Sequence, residues 1–324
     1  MVGGGEARTV VVTGATAVGK SELALALAER WNGEIISADS RHVYHYLDVG
    51  TAKPALAERA AIPHHLINVA YPDEPYSVVA YQTQASRALA DIHARGRVAL
   101  VVGGSPHYIQ TLIDRLEPGP RNPPLRAWLD RVDAAGATEQ LNRWLSRLDP
   151  PAAATIERRN RRRVLRALEV ILTTGRRFSD IGRQRAEPIP AVWIGLRRDR
   201  TALYDRIDRR VHAMIEAGWV EEVRVLLAMG LSPKLPALSA TGYGAIAAAL
   251  RCDMTLDDAI ERIKIDTHAF ARRQETWLRA ERRVVWFDAA DAELPRLVEQ
   301  SVSEISPRDA SRRSSQILDG RNSL

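Results

Sequence analysis

The chain has a single cysteine, Cys252, among its 324 residues, which excludes an intramolecular disulfide and a cysteine-based metal site. We expect Cys252 to be a small buried apolar residue rather than a reactive thiol. Long apolar runs are also lacking, since no segment approaches the roughly 18 residues needed to cross a bilayer. The N-terminal segment has no signal-peptide pattern, so the sequence predicts a cytoplasmic protein that does not associate with membranes.

Charge is plentiful and slightly unbalanced. The sequence contains 46 basic and 40 acidic residues, for a formal charge of +6 at pH 7. Hydrophobic residues make up 45% and charged residues 27%, which is typical of a soluble folded protein. A basic excess favours phosphate-rich partners, although it does not by itself distinguish nucleic acid binding from an ordinary solvated surface. A monomer is the default expectation.

Short β-branched runs alternate with amphipathic helical segments, a pattern typical of a parallel α/β sheet. The predicted strands are residues 9–13, 34–37, 65–69, 98–102, 192–196 and 284–287. A helix is predicted to start at Tyr76-Ser77 and to end at Gly96, and long helices are predicted near 199–217, 219–228 and 255–280. The predicted fold is a P-loop NTPase-like parallel sheet flanked by helices.

The middle of the chain differs from this pattern. Residues 117–190 contain no strand-like run, and several prolines separate helical segments. We therefore expect an all-helical insertion at 117–190 between two parts of one core, residues 1–116 and 191–302. Residues 303–324 are rich in serine, arginine and aspartate and are expected to be a disordered tail.

One motif points directly to phosphate chemistry. Residues 14–21, GATAVGKS, fit the phosphate-loop pattern G-x-x-x-x-G-K-[ST] between a predicted strand and a predicted helix. The backbone N–H groups of such a loop converge on an anion, the lysine reaches the terminal phosphates, and the serine hydroxyl holds Mg²⁺. The predicted phosphate ligands are Gly14, Ala15, Thr16, Ala17, Val18, Gly19, Lys20 and Ser21, with Ser21 as the Mg²⁺ ligand.

An acidic residue follows the second predicted strand. Asp39 lies at the carboxyl end of that strand, where open α/β sheets bind their ligands, and so on the same edge as the phosphate loop. It could support Mg²⁺, act as a general base, or cap the following turn. A carboxylate beside a phosphate chain suits proton abstraction from an incoming nucleophile, which leaves a kinase and a transferase open.

Several further segments, in order along the chain, resemble the tRNA dimethylallyltransferase family. They are residues 39–44 (DSRHVY), 48–54 (DVGTAKP), 63–66 (PHHL), 101–104 (VVGG), 163–170 (RVLRALEV) and 271–274 (ARRQ) followed by Thr276-Trp277. The resemblance implies transfer of a dimethylallyl group from dimethylallyl diphosphate to N6 of adenine 37 of tRNA, next to the anticodon. The phosphate loop would then hold a prenyl diphosphate, with Mg²⁺ as cofactor, rather than ATP.

The resemblance also implies residue roles. Asp39 matches the position of the family's general base, and Lys20 and Ser105 are expected to act on the diphosphate. Arg206 or Arg210, between which the sequence does not decide, would clamp the same group. The residues expected to contact the tRNA anticodon stem-loop are Asp39, Ser40, Arg41, His42, Arg126, Arg162, Arg163, Arg166, Arg272, Arg273 and Gln274.

Helical spacing adds a physical reason for RNA contact. Arg159, Arg162, Arg163 and Arg166 fall at i, i+3, i+4 and i+7, opposite an apolar stripe. The stripe consists of Val164, Leu165, Leu168, Ile171 and Leu172. We expect this arginine face to bind RNA phosphates. Tyr44 and Trp277 are expected in the core, and His64-His65 is expected to be structural rather than a zinc site.

Three segments depart from the family pattern. Residues 105–108, SPHY, replace Thr-Gly-Leu-Tyr, so Pro106 and His107 put the shape of the prenyl pocket in question. His268 replaces a common arginine, and residues 239–244 match loosely. Three rival functions therefore stay open: a P-loop nucleoside or small-molecule kinase, a catalytically weakened tRNA-binding paralogue, and a prenyltransferase that acts on free adenylate.

Overall fold

A computed structural model describes residues 8–181 and 187–304. The chain divides into two compact units: a core unit, Met1–Ile113 with Pro188–Leu324, and an insertion unit, Asp114–Glu187. The insertion predicted from the sequence, residues 117–190, overlaps the second unit.

The core unit contains one six-stranded parallel sheet in the order β3-β2-β4-β1-β5-β6. Its strands are β1 (Thr9–Gly14), β2 (Gly33–Ser37), β3 (His64–His65), β4 (Val98–Gly103), β5 (Ala191–Arg197) and β6 (Val284–Asp288). All six residues of β1 are buried, which agrees with the apolar run Val10–Val12 at the centre of a parallel strand covered on both faces. The carboxyl ends of β1, β2 and β4 are therefore neighbours at one edge of the sheet.

Five of the six predicted strands are confirmed, and the third is mostly wrong. Only His64 and His65 form a strand there, because the chain turns at Leu66 and Asn68, which have φ angles of 64° and 55°. The following residues bond to a different segment: the N–H groups of residues 69 and 70 both donate to the Val43 carbonyl oxygen.

Helices flank the sheet, as predicted. Those of the core unit are α1 (Lys20–Trp31), α2 (Leu56–Ala61), α3 (Val78–Ala94), α4 (Pro106–Ile113), α9 (Arg200–Glu216), α10 (Trp219–Ala228), α11 (Tyr243–Leu250), α12 (Leu256–Arg279) and α13 (Leu294–Glu304). Ser77 caps the N-terminus of α3 by accepting from the Ala80 N–H at 3.1 Å. None of the helices in the described ranges is long and apolar enough to span a bilayer.

Two sequence predictions, for the C-terminal tail and for Cys252, differ from the structure. Ser303 and Glu304, expected in the tail, belong to α13, and residues 305–324 lie outside the described residues. Cys252, expected to be buried, is exposed in the turn after α11 with a φ of 61°. The turn follows an alanine-rich helix, so the apolar surroundings in the sequence do not surround the thiol in space.

The insertion unit is helical and has a small core of its own. Its helices are α5 (Pro123–Ala134), α6 (Thr138–Leu148), α7 (Pro150–Thr155) and α8 (Arg161–Thr174). The predicted apolar stripe of α8 is buried in this core, except for Leu172, which is 48% exposed near the end of the helix. Arg159 precedes α8 and its cap, Asn160, so it does not share the helical face predicted for it.

Candidate active site

The phosphate loop connects the central strand to the first helix. Lys20 and Ser21 are the first two residues of α1, so the loop ends at a helix N-terminus, where free N–H groups attract anions. The Lys20 Nζ donates to the carbonyl oxygens of Gly14 and Ala15 at 3.1 and 2.7 Å. Burial, together with repulsion from Arg210, lowers the pKa of Lys20 to about 8, although the Asp39 carboxylate opposes this shift.

A cavity of about 570 Å³ adjoins the loop. The charged and polar side chains that line it include Lys20, Ser21, Asp39, His42, Lys53, Arg206, Arg209 and Arg210. Leu25, Ile35, Ile67 and Val102 add apolar surface to its lining. Gly14, Ala15 and Val18 of the loop are buried and do not line it. One cavity thus combines cations for a phosphate chain with room for a small apolar group.

Asp39 lies at the carboxyl end of β2 and lines this cavity. Its Oδ1 accepts a hydrogen bond from the Arg41 N–H at 2.8 Å, so the carboxylate does cap the following turn. Burial acts to raise the pKa of Asp39, but His42, the Arg41 N–H and Lys20 together lower it below its usual value. The carboxylate is therefore ionised at neutral pH and keeps its second oxygen for the cavity.

The two candidate arginines of α9 differ in their contacts. Arg206 donates to the Ala17 carbonyl oxygen at 3.1 Å and pairs with Glu22 at 3.1 Å. The Arg210 side chain has no hydrogen bond or ion pair with any residue in the described parts of the chain. Its burial lowers its pKa, while Asp39 opposes that shift. Arg210 is the guanidinium that remains available to a ligand.

His42 is held by two hydrogen bonds inside the core unit. Its Nε2 lies 3.2 Å from the Thr51 carbonyl oxygen, which can only accept, so this nitrogen carries the proton. Its Nδ1 then accepts from the Ser37 hydroxyl at 3.2 Å. Burial lowers the pKa of His42, although Asp39 opposes the shift. At pH 7 the ring is therefore a neutral part of the cavity wall beside Asp39, and it carries a charge only at lower pH.

Residues 40, 41 and 105 fix the turn that carries Asp39. The Ser40 N–H donates to the Ser105 Oγ at 3.2 Å. The Arg41 guanidinium donates to the Pro236 and Ala237 carbonyl oxygens at 2.5 and 3.3 Å. Ser105 is not among the residues that line the 570 Å³ cavity. Its hydroxyl thus contacts the turn next to Asp39 rather than the phosphate loop.

The unusual residues 106 and 107 do not obstruct the cavity. Pro106 is the first residue of α4, a position where proline is favoured because its N–H is not needed there. His107 is exposed, and neither residue lines the cavity. The concern that they reshape the prenyl pocket is therefore not supported by their positions.

Glu222 of α10 is a residue that sequence reasoning missed. Its carboxylate accepts from three consecutive N–H groups, those of Asp48, Val49 and Gly50, at 2.8, 2.6 and 3.1 Å. It also accepts from the Tyr243 hydroxyl at 2.7 Å. Because residues 51–54 line the cavity, Glu222 fixes one of its walls from outside. Glu222 is one of two adjacent glutamates in the first turn of α10, where acidic residues are common, so the sequence gives no signal for such a role.

Substitution of Gly50 by alanine tests the importance of this wall. A Cβ at Gly50 would lie 1.9 Å from the Trp219 Nε1, so the indole or the loop has to move. We expect a loss of about 1–3 kcal/mol in the free energy of unfolding, measured by urea denaturation. Gly244→Ala is the control, since a Cβ there meets nothing within 4 Å and alanine favours the helix. Equal stability of the two variants would contradict the close packing.

The residues of α12 predicted to contact RNA lie on different sides of the helix. Arg272 and Arg273 are exposed, and Arg272 donates to the Tyr204 hydroxyl at 2.9 Å. Gln274 is only 6% exposed, with both ends of its amide bonded inside the core unit. The structure does not support direct RNA contact by Gln274. His268 stacks on Tyr204, with its Nε2 2.8 Å from Asp208.

The arginines of the insertion unit also divide into two groups. Arg162 and Arg163 are exposed, and their side chains have no hydrogen bond or ion pair with other described residues. Arg166 instead donates to the Pro120 carbonyl oxygen at 2.8 Å and pairs with Glu169 at 2.9 Å. Arg126 pairs with Asp130 at 3.1 Å. Of the four arginines predicted to contact RNA in this unit, Arg126 and Arg166 thus have internal partners among the described residues, and their contact with RNA stays a prediction.

The positions of Tyr44, Trp277 and His65 agree with the expectations for them, whereas His64 lines the cavity. Tyr44 is 6% exposed, and Trp277 packs against the main core. The His65 Nε2 lies 2.7 Å from the carboxylate of Glu34, which also pairs with Arg95 and Arg97. His65 therefore joins a structural charge cluster.

Comparison with known proteins gives a consistent result. The IPP transferase family model matches residues 42–281, more than half of the chain. A curated tRNA dimethylallyltransferase from Thermomicrobium roseum is 45% identical over 303 residues, covering 92% of each chain. A relative of the same name from Roseiflexus sp. is 45% identical over 275 residues, covering 83% of this chain and 89% of its own.

Solved structures agree with the sequence relatives. The tRNA isopentenylpyrophosphate transferase of Bacillus halodurans superposes with a TM-score of 0.69 at 35% identity, covering 96% of this chain and 98% of its own. A eukaryotic dimethylallyltransferase acting on tRNA gives a TM-score of 0.73 at 29% identity, covering 88% of this chain and 75% of its own.

Proposed function

Since the chain belongs to the tRNA dimethylallyltransferase family, it is a prenyltransferase that modifies tRNA, and we propose that its phosphate loop binds dimethylallyl diphosphate. The acceptor in this family is N6 of adenine 37. The observation that carries the assignment of the site is the convergence of Lys20, Asp39 and Arg210 on one cavity beside the loop.

The chemistry explains why this cavity needs a carboxylate. The exocyclic amine of adenine is a weak nucleophile because its lone pair is delocalised into the ring. We propose that Asp39 accepts a proton from N6 as N6 bonds to C1 of the dimethylallyl group. The C1–O bond breaks at the same carbon, and its electron pair leaves with the diphosphate. The lowered pKa of Asp39 keeps the carboxylate ready to accept that proton.

The cations of the cavity suit the charge that develops on the leaving group. Negative charge accumulates on the diphosphate as the C1–O bond breaks. Hydrogen-bond donors stabilise this charge most when they are already in position and do not have to move during the reaction. We assign Lys20 and Arg210 to this role. Arg206 is assigned instead to the support of the loop, since it donates to the Ala17 carbonyl oxygen. The apolar side chains of Leu25, Ile35, Ile67 and Val102 provide a surface for the prenyl group.

The residues present also fit Mg²⁺. Protein Mg²⁺ sites commonly use one or two protein oxygens and complete the coordination with substrate phosphates. The Ser21 hydroxyl lines the cavity at the start of α1, and the described residues contain no cluster of three His, Cys, Asp or Glu side chains that could hold a metal ion. We propose that Ser21 holds Mg²⁺ together with the diphosphate, where the ion would neutralise part of its charge.

We propose that Arg162 and Arg163 of the insertion unit and Arg272 and Arg273 of α12 contact the tRNA backbone. All four are exposed cationic side chains, and phosphate contacts position a nucleic acid without reading its sequence. The target base has to leave its stack to reach a cavity of this size.

Replacing Arg162 and Arg163 together by alanine should weaken tRNA binding. Fewer phosphate contacts mean that fewer counterions are released on binding. The magnitude of the slope of log K against log salt should therefore fall by roughly 1 to 2 units. Binding is measured by fluorescence anisotropy between about 50 and 200 mM salt. The control is Arg224→Ala with Arg296→Ala, which removes the same charge from two exposed arginines paired with glutamates. An unchanged slope in the first variant would assign these arginines to solvent.

The overall function is tested by incubation with unmodified tRNA, Mg²⁺ and labelled dimethylallyl diphosphate. We expect the label to appear on tRNA, and nuclease digestion should locate it at adenine 37. Turnover of ATP without prenyl transfer would favour the P-loop kinase. Label transfer to free adenylate but not to tRNA would favour a small-molecule prenyltransferase.

A further inference from the structure

The side-chain amide of Gln274 bridges two loops that are far apart in sequence. Its Oε1 accepts a hydrogen bond from the Thr16 N–H of the phosphate loop at 2.8 Å. Its Nε2 donates to the Gly104 carbonyl oxygen, in the turn between β4 and α4, at 2.8 Å. The residue is 6% exposed, so both bonds lie in surroundings where an unpaired amide is costly.

The fit around this amide leaves little freedom. A Cβ at Gly104 would lie 2.2 Å from the Gln274 Nε2, so the turn approaches the amide as closely as a glycine allows. The same turn is bonded to the segment that carries Asp39, because the Ser105 N–H donates to the Ala38 carbonyl oxygen at 3.2 Å. Gln274 thus contacts the phosphate loop directly, and it is connected to the segment that carries Asp39 through the turn between β4 and α4.

The direction of the Thr16 N–H is also informative. Free N–H groups of a phosphate loop usually point at the bound anion, but this one donates to a buried side chain that does not line the cavity. The hydrogen bond from Gln274 therefore restrains the loop at Thr16 without a ligand. Such preorganisation affects the rate most strongly when two reactants must meet in a defined geometry.

We propose that Gln274 is a positioning residue, which sets the distance between the phosphate loop and the Asp39 segment so that the diphosphate leaves in line with the attack of N6. This inference rests on the proposed function. It replaces the expectation that Gln274 contacts RNA, and it assigns that contact to Arg272 and Arg273 on the exposed side of the same helix.

Two variants of Gln274 remove different numbers of these hydrogen bonds. Gln274→Met keeps an unbranched side chain of similar length but removes both bonds. Gln274→Glu keeps an acceptor for the Thr16 N–H but sets a carboxylate oxygen against the Gly104 carbonyl oxygen. For both variants we expect kcat to fall by about 10- to 100-fold, because a small misplacement of reactants has effects of this size. The Kd of dimethylallyl diphosphate, measured without tRNA by calorimetry, should stay within about threefold of the unsubstituted protein because Lys20 and Arg210 remain.

Gln82→Met is the matched control. The Gln82 Nε2 also donates to a backbone carbonyl oxygen, that of Thr111, at 2.8 Å, and it lies outside the cavity lining. Its kcat should be unchanged. The melting temperatures of the two Gln274 variants and of Gln82→Met show whether a substitution lowers stability in general. Gly104→Ala disturbs the same hydrogen bond from the side of its acceptor and should also lower kcat.

The proposal is overturned if kcat of the Gln274 variants equals that of the unsubstituted protein. It is also overturned if kcat and ligand affinity fall in parallel with the melting temperature, which would indicate only a structural role. Absence of prenyl transfer by the unsubstituted protein would instead refute the proposed function, so the two failures are distinguishable.

Discussion

Asp39→Asn should reduce kcat for prenyl transfer to tRNA by about 10²- to 10⁴-fold, the usual contribution of a general base. The asparagine Oδ1 can still accept from the Arg41 N–H, which in the native protein donates to the Asp39 Oδ1 at 2.8 Å. The turn should therefore keep its conformation, and the Kd of tRNA should change by less than about threefold. Single-turnover kinetics with saturating tRNA and dimethylallyl diphosphate measure the chemical step separately from product release.

The pH dependence follows from the direction of the Asp39 pKa. A carboxyl group whose pKa is lowered is ionised at every pH above that value, so it loses activity only as pH falls through it. The acid limb of kcat should therefore lie below about 3.9, the ordinary value for aspartate, or below the pH of acid unfolding. Asp91→Asn, an exposed change on α3 with the same loss of charge, is the control. Full activity of Asp39→Asn would remove Asp39 from the base role.

The part of the site that could be predicted from the sequence is the part encoded locally. The spacing of residues 14–21 fixes a loop between a strand and a helix, and both elements are confirmed at those positions. Asp39 follows a buried strand, and the parallel register of β2 with β4, and of β4 with β1, brings it to the loop. Local pattern and sheet topology together suffice for this convergence.

Roles that depend on distant partners could not be predicted in this way. Gln274 and Thr16 are 258 residues apart, and nothing near either residue indicates the other. Family resemblance placed Gln274 with two arginines because they are adjacent in sequence, but adjacent residues of a helix face different sides. Arg166 shows the same limit, since its partners at residues 119 and 120 lie in a loop before α5.

The choice between Arg206 and Arg210 also required the structure. Both lie on one helix, four residues apart, and helical spacing places them on the same face. They are distinguished by what surrounds that face: the loop carbonyl of Ala17 and the carboxylate of Glu22 engage Arg206. Of these two arginines, Arg210 then remains for the diphosphate beside Lys20, whose pKa it lowers.

Lys20 should make the affinity for dimethylallyl diphosphate depend on pH in the mildly alkaline range. With a pKa of about 8 in the free protein, Lys20 is charged below pH 8 and loses its proton as pH rises through 8. A bound diphosphate favours the charged form, so binding at pH 9 should take up close to one proton, and the affinity should fall about tenfold per pH unit above 8. The terminal phosphate of the ligand is already ionised there, since its pKa is about 6.

Proton uptake is measured by calorimetry without tRNA, in buffers of different ionisation enthalpy. Lys20→Arg is the control, because a guanidinium stays charged throughout this range and should take up no proton. Lys20→Ala should lower kcat by about 10²- to 10³-fold at any pH, as expected when one donor to a developing anion is lost. If the unsubstituted protein took up no proton at pH 9 while Lys20→Ala retained full activity, another group would have to carry the charge of the leaving diphosphate. Arg210, buried in the same cavity without an internal partner among the described residues, would then be the residue to replace next, since its charge does not depend on pH in this range.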